Sequence, residues 1–339
     1  MKSDIRVGVL GAGRIGRLHI EHLQYRLKGV EVAAVSDVYK EAADKAASDF
    51  QVPLSFQDSL EVIRHKDVDA VIICSSTDTH AQFIEESARA GKHVFCEKPI
   101  ALDLAEIDRA LEAVDQAGIK LQIGFNRRFD ANHRRVWEHL RQGTIGKPHI
   151  LRIASRDPSP PPIGYIKVSG GIFLDMMIHD FDMARYLIED EVESLYATAG
   201  VMVDPEIGKA GDVDTAIVTM KFKNGVIGTI DNSRQAVFGY DQRVEVFGEK
   251  GMVSSENFRP NAVTVSGPEH VWQDLPFNFF MERYVDSYLI EMQEFLQAVA
   301  GSTEPSVTGI DARVPVVMGL AAKKSFKEGR PVSLDEISP

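Results

Sequence analysis

Two domains of different class are predicted: a doubly wound α/β domain over residues 1–125, and an α+β domain with a mostly antiparallel, open-faced sheet over residues 126–339. Three observations predict them. The chain has 339 residues, more than one typical domain holds and comfortable for two. The first third alternates short, continuously apolar runs with helical periodicity, as expected of strands covered on both faces and joined by right-handed βαβ crossovers. In the second part the runs lengthen and alternate with period two, as expected of strands with one covered face.

Ile5–Leu10 is the first apolar strand, and Arg14–Leu27 the helix after it. Val30–Val35 and Lys40–Asp49 repeat the pair. A short helix over Leu60–Arg64 leads to the third strand, Ala70–Cys74. His80–Ala90 is helical and His93–Cys96 is the fourth strand. Leu104–Gln116 is a helix, and Lys120–Ile123 the fifth strand. A helix over Ala131–Arg141 then ends at Gly143. The long strands follow, at His149–Ser155, Ser194–Val203, Thr215–Lys223, Val226–Ser233, Arg243–Phe247 and Ala262–Val265. Asn224-Gly225 makes the hairpin turn between two of them, because both residue types accept positive φ. Gly248-Glu249-Lys250-Gly251 marks another turn. Glu291–Val299 and Val314–Lys327 are the closing helices, and Pro158–Pro162 reads as a rigid loop that can serve as a lid.

The formal net charge is −12, from 38 basic and 50 acidic residues. That balance excludes the basic footprint of a nucleic-acid binder and disfavours an anionic membrane. No apolar run approaches the roughly 20 residues that span a bilayer. Met1-Lys2-Ser3-Asp4 runs directly into a strand and does not resemble a secretory leader. Cys74 and Cys96 end apolar strands, so buried thiols in a reducing, cytoplasmic compartment are expected rather than a disulfide. The cysteines lack metal-ligand spacing and the histidines form no recognised cluster, so no metal site is expected.

Gly11-Ala12-Gly13-Arg14-Ile15-Gly16 lies between the first strand and the first helix. This is the Rossmann dinucleotide fingerprint in its expected setting. Gly11 allows the tight turn, Gly13 lets a pyrophosphate approach the backbone, and Gly16 permits close helix–strand packing. The helix N-terminus supplies N–H groups and a positive dipole end. Asp37 closes the second strand about 20 residues further on, where a carboxylate holds the ribose hydroxyls. It would repel a 2′-phosphate, so NAD is expected over NADP, with Lys40 tempering the preference. Ser75, Ser76, Thr77 and His80 follow the third strand, at the carboxyl edge where ligands bind; the alternative is a helix N-cap series.

Glu97-Lys98-Pro99, after the fourth strand, resembles the Glu-Lys-Pro signature of the glucose–fructose oxidoreductase, inositol dehydrogenase and rhizopine catabolism (Gfo/Idh/MocA) family. Asp175-Met176-Met177-Ile178-His179 resembles that family's Asp-x-x-x-His pair, preceded by Gly170-Gly171. Gly239-Tyr240-Asp241-Gln242-Arg243-Val244-Glu245 and Phe279-Phe280-Met281-Glu282-Arg283-Tyr284 are similar to segments of its bacterial inositol 2-dehydrogenases. The resemblance covers nearly the whole chain. It implies a substrate held between the two domains against the nicotinamide, and homotetramers, or sometimes dimers, that pack exposed sheet faces. It also implies NAD-dependent oxidation of a secondary hydroxyl of a cyclic polyol, foremost myo-inositol to 2-keto-myo-inositol. Scyllo-inositol, another cyclitol or an aldose is the alternative substrate. A non-catalytic NAD-binding sensor is the alternative of another class.

Such an oxidation needs a base for the hydroxyl proton and a donor for the carbinol oxygen as charge develops. The resemblance implies a catalytic group of Lys98, Asp175 and His179. His179 is a suitable base at neutral pH. If the segment is helical, Asp175 shares its face and either orients the ring or binds a hydroxyl. Lys98 donates to the reacting oxygen or shares the base role. Asn126, Arg127, Asp157 and Tyr240 are the further substrate candidates, beside Lys98, Asp175 and His179. The resemblance also places Glu97 and Lys98 against the cofactor. The bland alternatives are a surface lysine, a core histidine, a dipole-offsetting Asp175 and a core Tyr240. Arg128 reads equally as a structural ion-pair partner. Ser155 and Asp157 depart from the histidine and asparagine common in the inositol enzymes.

Overall fold

In the computed structural model, residues 4–301 and 303–338 are described; the leader reading at Met1-Lys2-Ser3 lies outside them. The chain forms two compact units. One runs to Asn126 and also includes Asp286–Val314; the other comprises Arg127–Val285 and the residues from Pro315 onward.

The strands of the first unit are β1 (Ile5–Leu10), β2 (Val30–Ser36), β3 (Leu54–Phe56), β4 (Ala70–Ile73), β5 (His93–Glu97) and β6 (Leu121–Gly124). They pair in parallel in the order β3-β2-β1-β4-β5-β6. The order reverses between β1 and β4, which is where ligands bind in such sheets. Helices α1 (Arg14–Glu21), α2 (Lys40–Phe50), α3 (Ser59–Ile63), α4 (Thr77–Arg89) and α5 (Leu104–Ala117) connect the strands. Asp58 and Asp103 cap α3 and α5 by accepting from first-turn N–H groups. The first helix was expected to run to Leu27; instead α1 widens into a π turn over His22–Arg26, closed by Leu27 N–H to the His22 carbonyl. Strand β3 is absent from the sequence expectation, because three half-buried residues behind Pro53 are too short to show a period.

The second unit contains α6 (Ala131–Arg141), β7 (Pro148–Arg156), α7 (Ile163–Ile166), α8 (Ile178–Ile188), β8 (Val192–Gly200) and α9 (Pro205–Lys209). Strands β9 (Thr215–Phe222), β10 (Ile227–Ser233), β11 (Asp241–Gly248) and β12 (Gly251–Ser255) follow, then β13 (Thr264–Ser266), β14 (Val271–Gln273) and α10 (Phe280–Arg283). Helix α11 (Val285–Val299) lies mostly in the first unit; α12 (Gly309–Glu328), β15 (Val332–Ser333) and a 3₁₀ turn over Leu334–Glu336 follow. The sheet order is β12-β11-β7-β10-β9-β8-β15, antiparallel except for the parallel pair β7–β10.

Three expectations need correction. The strand expected at Ala262–Val265 is β13, which pairs only with β14 in a separate, exposed hairpin, since its residues have no covered face. Helix α12 starts at Gly309, not Val314, and continues through Pro315; Thr308 and Asp311 tie its first turn. Division at residue 125/126 assigns everything later to one domain, whereas α11 packs Met292, Phe295 and Leu296 into the core of β1, β2, β4 and β5, with Val7, Val32, Ile72 and Phe95. Burial of that apolar stripe outweighs sequence distance.

Candidate functional site

The loop after β1 has the geometry a dinucleotide needs. Gly11 lies at φ +99°, and a Cβ there would stand 2.6 Å from the Cys74 carbonyl oxygen. A Cβ on Gly16 would stand 1.9 Å from the Gly11 carbonyl oxygen, so only glycine permits this helix–strand approach. Gly13 differs: a Cβ there would meet nothing within 4 Å. That exposed cradle, in front of the uncapped N-terminus of α1, fits a pyrophosphate. Arg14 is exposed and Ile15 half-buried beside it. Asp37 Oδ2 accepts from Ala12 N–H at 2.8 Å and Oδ1 from Tyr39 N–H at 2.9 Å. The carboxylate therefore ties the glycine loop to β2, and each oxygen keeps a lone pair for a ribose hydroxyl.

Ser75, Ser76 and Thr77 form the turn from β4 into α4. Ser76 occupies the N-cap position without a side-chain cap bond. Ser75 Oγ and Thr79 Oγ1 lie 2.7 Å apart, and Thr79 Oγ1 donates to the Ser76 carbonyl. His80 is buried, with Nδ1 2.8 Å from the Pro99 carbonyl and Nε2 3.0 Å from the Ser75 carbonyl. Burial lowers its pKa against the pull of those two carbonyls. His80 is thus a strut between two edge loops. Glu97 is likewise turned inward, with Oε1 accepting from His19 Nε2 at 2.8 Å. Lys98 follows at the end of β5, half-buried. Asn126 is buried at the start of a 3₁₀ turn, and its Nδ2 has no hydrogen-bond partner among the described residues.

In the second unit, Arg127 is enclosed by protein groups. Its Nη1 donates to Asp180 Oδ1 at 2.6 Å, and its Nη2 to Ser155 Oγ and Tyr240 Oη, each at 3.3 Å. Arg127 was expected on the substrate side; here a buried carboxylate holds its guanidinium. Arg128 is paired too, with Asp182. Tyr240 is buried edge-on against Tyr284, and burial raises its hydroxyl pKa. Asn232 Nδ2 donates to the other Asp180 oxygen at 2.9 Å, and Gln242 and Ser155 bond each other.

Asp175 lies in a π turn, Ile172–Met176, immediately before α8, and His179 lies in the first turn of α8. The stretch is helical, the condition under which Asp175 and His179 were expected to share a face, but wider at the aspartate end. Such π turns recur at functional sites. Tyr165 Oη donates to Asp175 Oδ1 at 2.8 Å, and Arg234 Nη1 lies 3.5 Å from Asp175 Oδ2. Arg234, only 1% exposed, is shared with Asp212. Gly171 is required here, since a Cβ would stand 2.5 Å from Asp212 Oδ1, which accepts from Ile172 N–H. Asp157 is half-buried by surface area yet closely enclosed. That desolvation pushes its carboxyl up to about 6, with Arg234 and Arg127 opposing and Asp175 and Asp180 reinforcing.

The second unit therefore brings Asp157, Asp175, Arg127 and Tyr240 into one polar cluster. Sequence reading missed Arg234, Tyr165, Asp180 and Asn232 there. A buried arginine after a strand, or an aspartate on the apolar face beside His179, carries no motif; only the fold makes them neighbours.

Residues 5–125 match the family profile described as the oxidoreductase family with an NAD-binding Rossmann fold, and residues 133–254 match the GFO/IDH/MocA C-terminal domain. A myo-inositol 2-dehydrogenase of Thermotoga maritima is 49% identical over 98% of this chain and 99% of its own. An inositol 2-dehydrogenase of Rhizobium meliloti is 42% identical over 97% of this chain and 99% of its own. A Lactobacillus casei scyllo-inositol dehydrogenase, solved with NAD(H) and scyllo-inositol, superposes with a TM-score of 0.92 at 30% identity, covering 98% of this chain and all of that one.

Proposed function

The chain belongs to the Gfo/Idh/MocA oxidoreductase family, and we propose that it oxidises one secondary hydroxyl of a cyclic polyol, myo-inositol first, to 2-keto-myo-inositol with NAD as the acceptor. The observation that carries the substrate class is the polar cluster of the second unit. Its carboxylates, Asp157, Asp175 and Asp180, stand among Arg127, Arg234, Tyr165 and Tyr240. Such a cluster offers several fixed polar groups to a neutral, many-hydroxyl ring. Asp175, fixed in place by Tyr165 and Arg234, accepts one substrate hydroxyl, and Asp157 accepts another.

NAD, bound through Gly13, the α1 N-terminus and Asp37, supplies the hydride acceptor. The chain's own residues handle the proton and the developing charge. The His179 imidazole takes the hydroxyl proton. The Lys98 ammonium donates to the carbinol oxygen and lowers its pKa. Asp175 orients the reacting hydroxyl. Asn126 has an unused donor for a further one.

We propose the homotetramer on separate grounds. Tyr196, Ile217, Ile227 and Phe247 stand 38–56% exposed on β8–β11, an apolar sheet face of the kind that partners cover. A cytoplasmic location is supported by two unpaired cysteines whose thiols burial keeps protonated; among the described residues no helix is long and apolar enough to cross a membrane. The deciding experiment is a panel of inositol isomers and aldoses with NAD and NADP, followed by NADH absorbance. Highest kcat/KM with myo-inositol and NAD supports the reading, preference for scyllo-inositol moves it to that isomer, and no turnover with any polyol refutes it.

A further inference from the structure

Three polar side chains meet inside the first unit: His19 from α1, Glu97 from β5 and Glu291 from α11. One atom from each lies within 4.8 Å of the others. His19 is fully buried and donates to Glu97. Glu291 is 0% exposed, and among the described residues neither of its carboxylate oxygens has a hydrogen-bond partner. Its main chain is nevertheless fixed, since Gln122 Nε2 donates to the Glu291 carbonyl at 2.8 Å. Phe95 and Tyr288 pack edge-on against the His19 ring, and Phe295 against Phe95, so the surroundings are apolar.

An ionised carboxylate without a donor in such a place is strongly disfavoured, and the group takes up a proton instead. Burial, then the neighbouring charge of Glu97, pushes the Glu291 carboxyl well above its ordinary range. The titratable groups around it are His19 from α1 with His22 behind it, Glu97 from β5, Cys74 after β4, and Tyr288 on α11 itself. Burial holds His22 near 4 and the Cys74 thiol protonated, so neither supplies a compensating charge.

We propose that Glu291 is carried as a neutral carboxylic acid and serves as a positioning residue, leaving Glu97 as the single negative partner of His19 and thereby fixing the residue that precedes Lys98. Glu97 shares one face of β5 with Phe95, by the two-residue period of a strand. Pinning Glu97 to the His19 side sets how the chain leaves β5 toward Lys98. A second charge at Glu291 would repel Glu97 from that position.

The sign follows from linkage. The folded protein keeps a proton that the unfolded chain releases above the ordinary glutamate value of about 4.3, so the wild type loses stability as pH rises from there toward the folded value. Glu291→Gln keeps the neutral shape and lacks this loss. In urea unfolding of the full chain from pH 5 upward, the unfolding constant of the wild type should rise relative to Glu291→Gln, by about tenfold per pH unit while the folded carboxyl keeps its proton. Parallel behaviour across that range overturns the neutral acid. If the variant does not fold, infrared spectra of wild type labelled with ¹³C at glutamate carboxyls decide it: a protonated-acid C=O band at pH 8 that vanishes on unfolding supports the proposal, and its absence overturns it. One equivalent of divalent metal in the purified protein also overturns it, because a cation would then neutralise both carboxylates. For positioning, Glu291→Gln should retain kcat while Glu291→Ala, which gives Glu97 room to turn, lowers kcat about tenfold at unchanged NAD affinity; equal kcat in both variants overturns that part.

Discussion

Arg127→Met separates a residue that holds the substrate from one that holds the fold. The guanidinium is 7% exposed and its partner Asp180 is fully buried. Its bond to Asp180 is 2.6 Å, while those to Ser155 and Tyr240 are 3.3 Å and contribute much less. Removing the arginine leaves Asp180 with Asn232 as its remaining donor among the described bonds. Breaking one side of a buried pair costs about 3–5 kcal/mol. With a urea dependence of about 2–3 kcal/mol per molar, the midpoint should fall by about 1–2 M. Trp137 fluorescence and circular dichroism report it, since Trp137 stacks on Tyr186 within the same unit. Adding Asp180→Asn removes the stranded charge, so the double variant should recover at least half of the loss. A wild-type midpoint for Arg127→Met, combined with a raised KM for the polyol, would refute the ion-pair reading and return Arg127 to the substrate.

Three further outcomes are expected. Lys98→Ala should lower kcat by about 100-fold or more while NAD titration shows nearly unchanged affinity; equal loss of both would make the lysine structural. Asp37→Ala should weaken NAD binding by about 10- to 100-fold and relax discrimination against NADP, because it removes a charged acceptor of the ribose and also releases Ala12 N–H; unchanged NAD affinity counts against the contact. Asp157, raised to about 6 by burial, is neutral below that pH, so kcat/KM should fall as pH drops through about 6, and Asp157→Asn should abolish that limb. The same shift means the folded chain binds the extra proton between the usual carboxylate range and about 6, so Asp157 costs stability as pH rises through that window. A variant profile that keeps the inflection assigns it elsewhere.

The cofactor half of the site was legible because its constraints are local. Gly11 is demanded by its own φ of +99° and Gly16 by its approach to the Gly11 carbonyl, and a strand and a helix on either side are read from periodicity. Asp37 lies one βα unit away, at a separation the fold sets. Glu97-Lys98-Pro99 and Asp175 with His179 were recognisable as short motifs. The substrate half was legible only in part. Asp157, Asp175, Tyr240 and Arg127 could be named, yet the hold of Asp180 on Arg127 could not be read from the sequence.

From sequence alone came most of the strands and helices in their order, the two sheet types, the glycine turn and the carboxylate just after β2, since each shows as a local pattern in the chain. Tertiary structure alone decided that Arg234 reaches Asp175, that Tyr165 shares the same carboxylate, that α11 returns to the first unit, and that Glu291 faces Glu97 across 194 residues of sequence. Burial and charge pairing act through space, where a side chain's protonation and partners depend on which distant segments exclude water from it, and no local pattern records that.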